Sequence, residues 1–91
     1  MYNETLTDFK ENLTEKIIKL KRFKESNDMP NYAILVHSLK SDCKYLGFTK
    51  LAEMSYEHEL KSKANDQDYV NNNFENLVKE CIRIKIIIDK Y

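Results

Sequence analysis

The side chains with the type and placement to do chemistry are few: His37, His58, Cys43, Cys81 and the lysines that follow His37. Lys40, Ser41 and Lys44 stand at i+3, i+4 and i+7 from His37, a spacing that gathers the four on one helix face. Imidazole is nucleophilic near pH 7, and an ammonium one turn away favours negative charge placed on it. Such a face can carry an anion or accept a phosphoryl group on the ring. At about 5 Å and an effective dielectric near 20 the bare attraction is about 3 kcal/mol, which exposure and salt cut to about 1 kcal/mol or less. That is enough to tune a labile adduct and too little to create one. From the helical wheel alone, an ordinary surface histidine remains the alternative.

Other constellations carry less. His37 and Cys43 are six residues apart and point to different faces of one helix, so they make a poor zinc pair. His58-Glu59-Leu60 lacks the second histidine of a two-histidine zinc motif. Cys43 and Cys81 fall on apolar stripes and read as small hydrophobes rather than nucleophiles. They form no CxxC pair or disulfide framework, which fits a reducing, cytoplasmic setting.

Composition narrows the function classes. The chain has 91 residues, enough for one small domain, with 42% hydrophobic and 33% charged residues. Fifteen basic residues balance fifteen acidic ones, so no counterion-release drive toward nucleic acid is present. A single glycine excludes both the phosphate-binding loop and the dinucleotide fingerprint, and with them ATP binding by either device. One glycine and one proline also argue against a β fold of many tight turns. Apolar runs reach only about four residues, against the roughly twenty that span a bilayer.

The elements that must position these residues are helices. Leu6, Phe9, Leu13, Ile17, Leu20 and Phe23 recur at three- and four-residue spacing and predict a helix from Thr5 to Ser26, with Thr5 as its cap. Asp28 caps a second helix, Met29 to Leu46, with Pro30 in its first turn and Gly47 placed to end it in the left-handed region. A third runs from Thr49 to Ala64, with Leu51, Ala52, Ser55 and His58-Glu59 on one side. Asn65-Asp66 separates it from a fourth, Asp68 to Asp89, whose stripe is Val70, Phe74, Leu77, Cys81, Ile84 and Ile88. Asn71-Asn72-Asn73 reads as a solvated face, and the surplus at Ile86 and Ile87 as a possible contact with a neighbouring domain. Short joints between helices of similar length predict an all-α, antiparallel up-and-down four-helix bundle.

On the wheel the second helix buries Val36, Leu39 and Cys43, which turns His37 roughly 150° away from the core. Ala33 and Ile34, one turn earlier, fall on the same outer side. Here the chain resembles the histidine-containing phosphotransfer (HPt) domain. The resemblance rests on Val36-His37-Ser38-Leu39-Lys40-Ser41, on Gly47 ten residues after the histidine, and on Leu51 opening the next helix. It extends over nearly the whole chain.

The resemblance implies that His37 takes a phosphoryl group on its ring from a receiver-domain aspartyl phosphate and passes it to another receiver. Lys40 would balance its charge. Ser41, close in size to the glycine common there, would let the receiver approach, and Ala33, Ile34, Ser41 and Lys44 would dock it. Lys44 departs from the small residue many members carry, which bears on partner choice and transfer rate. His58 stands where the family usually has a core leucine and is expected to be a packing histidine.

The implied partners are response-regulator receivers, in trans or on the same parent chain, and a hybrid sensor histidine kinase from which the domain could derive. No autonomous kinase activity, nucleic acid, membrane insertion or resident cofactor is expected; Mg²⁺ would belong to the receiver. No general base beyond solvent and His37 itself is expected either. Two other readings compete. In one the same bundle docks receivers without taking phosphate, which Ser41 and Lys44 favour. In the other it is a helical adaptor unrelated to phosphate, against which Lys40 and Gly47 count.

Overall fold

Four amphipathic stripes fold into four helices. The computed structural model describes residues 2–90, with side chains from residue 7 onward. It contains α1 (Tyr2–Glu25), α2 (Met29–Leu46), α3 (Thr49–Lys63) and α4 (Gln67–Ile88) and, among the described residues, no strand. The bundle measures 37 × 19 × 18 Å, with α1 packed on α2 and α4, and α3 on α2 and α4. This is the expected up-and-down four-helix bundle.

The helix ends follow their chemistry. Asp28 accepts a hydrogen bond from the Asn31 backbone amide, and Asp66 accepts one from that of Tyr69 at 3.0 Å, so each aspartate satisfies a free N–H of the turn it opens. Gly47 closes α2 at φ +86°, a conformation that costs any residue with a Cβ about 1–2 kcal/mol. Asn27 and Asn65 adopt the same left-handed region at the other two joints, as asparagine tolerates. One boundary differs from expectation: α1 already begins at Tyr2, so Thr5 lies inside it rather than at its start. The side chains of Thr5 and Leu6 lie outside the described residues.

The core fills the space the stripes enclose. Leu13, Leu20, Tyr32, Val36, Leu39, Cys43, Leu51, Val70, Leu77 and Cys81 are essentially without solvent contact. Each large aliphatic side chain buried this fully contributes about 1.5–3 kcal/mol relative to exposure. Ile17 and Phe23 pack only at the core's edge, while Ile82 and Ile86 remain exposed. Asn71 and Asn72 are solvated, and Asn73 turns its amide back to the Tyr69 carbonyl at 2.9 Å. Among the described residues no helix is long and apolar enough to cross a membrane.

Candidate functional site

The site forms where α2 and α3 share the most extensive seam of the bundle. α2 is held rigidly along its length: Leu39 and Val36 are buried on one side, and Lys16 of α1 ties down Asp42 at 2.6 Å and Ser38 at 3.2 Å on another. His37 projects from the middle of this rod.

Three cationic or polar groups converge on one carboxylate. The Glu59 side chain of α3 is only 4% exposed, yet it bonds His37 Nδ1 at 2.9 Å, Lys40 Nζ at 2.8 Å and Lys63 Nζ at 2.8 Å. Burial pushes the Glu59 carboxyl up, but hydrogen bonds from Lys40, Lys63 and His37 outweigh it and hold the group at about 2. Glu59 is therefore ionised at any ordinary pH. Two ammonium groups face this single carboxylate, so the cluster has a positive surplus.

The ionisation fixes the ring's protons. A carboxylate only accepts hydrogen bonds, so Nδ1 of His37 must donate to it. In the neutral ring the lone pair then sits on Nε2. No described residue bonds Nε2, and the imidazole side chain is 57% exposed. The arrangement is that of a ring clamped at one nitrogen and open to attack or be attacked at the other.

The structure separates the expected site residues. Ile34, Ser41 and Lys44 are exposed on the outer side of α2 beside His37, as expected. Ala33 is not: it is buried, because it lies on the flank of α2 that α3 covers, where a small side chain permits close approach. Lys40 lies on that same flank. Its side chain is 14% exposed, with Nζ on Glu59 and 4.9 Å from the centre of the Tyr56 ring, so it is a packed ion-pair partner rather than a free surface amine. Ala33, Ile34 and His37 still meet Met29, Ser62 and Lys63 around an open groove of about 550 Å³. On the other side, Lys44 borders a hollow of about 280 Å³ with Ala52 and Tyr56.

Glu59 and Lys63 were not anticipated as site residues. The signal for Glu59 was present: an acid on the buried stripe of α3 must find a cation, and the facing helix offers His37 and Lys40. Lys63, one turn beyond Glu59, then follows from i,i+4 geometry.

The second histidine serves the core. His58 is buried, its Nδ1 is 2.8 Å from the Tyr32 hydroxyl, and the Tyr69 ring lies edge-on at 5.5 Å. Burial pushes its pKa down to about 4, against a smaller opposite pull from a backbone hydrogen bond with Asn73. Burial likewise raises both thiols to about 12, so Cys43 and Cys81 are inert packing groups at neutral pH. Among the described residues no group of three or more His, Cys, Asp or Glu side chains is placed to hold a metal ion.

Compared with known proteins, the chain matches a family model described as Hpt domain over residues 4–86. No curated protein and no solved structure gives a significant match.

Proposed function

The chain belongs to the Hpt domain family, phosphorelay modules that carry phosphoryl groups on histidine, and on that premise we propose that His37 is the carrier residue of this one. The observation that supports this is the clamped ring: Nδ1 donates to Glu59 at 2.9 Å while no described residue bonds Nε2.

In this reading Nε2 attacks the phosphorus of a receiver's aspartyl phosphate. The P–N bond forms as the P–O bond to the aspartyl carboxylate breaks, and the aspartate leaves with the electron pair. No proton need move, because Nδ1 already carries one. The ring becomes cationic as it is phosphorylated, and Glu59 stabilises that charge from 2.9 Å away. Return to a second receiver reverses the step. Phosphoryl transfer depends chiefly on in-line positioning and charge neutralisation. The Mg²⁺ and acidic pocket belong to the receiver, and this chain supplies a nucleophile at fixed height. Ile34, Ser41 and Lys44, with Ala33 in the groove wall, form the surface a receiver would meet. Such a relay operates between cytoplasmic receivers.

The test is incubation with a phosphorylated receiver and Mg²⁺. The expected product is an acid-labile, base-stable label on the wild-type chain that His37→Gln abolishes. Label retained in His37→Gln, or receiver binding without any label, would overturn the assignment; the latter outcome would leave a docking module that takes no phosphate.

A further inference from the structure

The α1–α4 seam lies across the bundle from His37, and it is the loosest of the four. The Lys10–Asp89 ion pair near one end and Lys24 over the Phe74 ring at 5.2 Å near the other set an antiparallel register. That register brings Ile17 and Ile18 level with Ile82. Ile18, Ile82 and Ile86 are all about half exposed or more, an unusual expense of isoleucine on a surface. Between the helices runs a groove of about 540 Å³ with Ile17, Phe74 and Val78 in its walls and Lys21, Lys24 and Lys79 on its margins.

The charges say what the groove would accept. Lys21 and Lys79 have no acidic partner among the described residues, Lys24 is engaged only with an aromatic ring, and Glu75 is the one acid in the lining. We propose that the α1–α4 groove docks an amphipathic helix of a partner polypeptide, its apolar stripe on Ile17, Phe74 and Val78 and continuing onto Ile82 one turn along α4, and its flanking Glu or Asp residues on Lys21, Lys24 and Lys79. A helix laid in a groove uses apolar anchors at i, i+3, i+4 and i+7, which matches a seam of this shape. A second copy of this chain fits poorly, because a two-fold contact presents the same patch twice and sets these lysines against themselves. A nucleic acid would leave the isoleucines uncovered. The inference does not depend on phosphoryl carriage at His37, which sits on the far face.

Two designed helical peptides with the same leucine stripe, one flanked by Glu and the other by Lys, test it by NMR titration of the whole chain. The Glu peptide is expected to shift the resonances of Ile17, Ile18, Val78 and Ile82. It should lose at least about tenfold in affinity when the peptide is the Lys version or the chain carries Lys21→Glu with Lys79→Glu. Those lysines are exposed, so circular dichroism should show an intact bundle, and label uptake at His37 should be unchanged. Equal binding of the two peptides, shifts confined to the α2–α3 face, self-association of the free chain that Ile18→Ser with Ile82→Ser abolishes, or no shift at about millimolar peptide would each overturn it.

Discussion

Glu59 accepts a hydrogen bond from Nδ1 of His37 across the α2–α3 seam, and so a buried side chain of one helix decides which nitrogen of an exposed side chain on another carries the proton. Glu59→Gln keeps the shape and removes the charge. In ¹⁵N spectra the wild-type ring is expected as the Nδ1–H tautomer, and the variant as a mixture. A hydrogen bond to a charged group is worth about 1.5–3 kcal/mol, which corresponds to roughly 10–100-fold in rate if it strengthens as the ring becomes cationic. Unaltered transfer with an unaltered tautomer would remove Glu59 from the mechanism and leave it a structural ion-pair partner.

The two lysines on Glu59 differ in what they can do. Lys40 is packed between Glu59 and Tyr56, whereas the Lys63 side chain is 62% exposed and free to swing toward a new anion. Lys40→Ala is expected to cost about 1–3 kcal/mol in urea melts, because it takes a packed cation from a buried carboxylate. Lys63→Ala should cost no more than about 0.5 kcal/mol, because Lys63 is itself exposed and Lys40 still neutralises Glu59. Both should shorten the lifetime of the phosphohistidine. Decay of the acid-labile label in the two variants separates the roles: a wild-type lifetime in Lys63→Ala would leave Lys40 as the sole counter-charge.

Most of the fold was legible because it rests on period and punctuation. The α4 stripe from Val70 to Ile88 is buried at every position the spacing indicates, and Gly47, Asp28 and Asp66 end or begin helices where their chemistry permits. The site was legible only on its own helix. A wheel places His37 outward correctly, but it treats everything off the core stripe as solvent. Lys40 and Ala33 lie on the shoulder of α2, and which shoulder α3 covers is a tertiary fact that one helix does not carry. The spacing places Glu59 on the buried stripe of α3, but the groups that satisfy it include two on a different helix, which the α3 pattern alone does not show.

The wheel itself has a quantitative check. Leu39 is fully buried two residues from His37, so its burial and the exposure of His37 are one statement about helix rotation. Leu39→Ala should cost about 2–5 kcal/mol in equilibrium unfolding, from lost transfer energy and the cavity left behind. A change below about 0.5 kcal/mol would place that stripe at the surface.

His58 gives the bundle a pH dependence whose direction is set by burial. Desolvation lowers its pKa from 6.5 to about 4, so below pH 6.5 the unfolded chain binds a proton that the native state refuses. Stability is therefore complete above that pH, falls as the pH drops toward 4, and then levels with respect to this group. At about 1.4 kcal/mol per unit the loss across the window is on the order of 3 kcal/mol. The groups around the ring do not reverse the sign: Tyr32 offers a hydroxyl at Nδ1, and burial raises Tyr69 to about 12, so both stay neutral throughout. Glu59 contributes in the same direction but lower down, from about 4.5 toward 2. Urea melts of the wild type and of His58→Gln, which can still bond the Tyr32 hydroxyl, give the His58 share by difference between pH 7 and pH 5, and the slope there should be shallower in the variant. An equal slope in the variant would assign the acid sensitivity to another group.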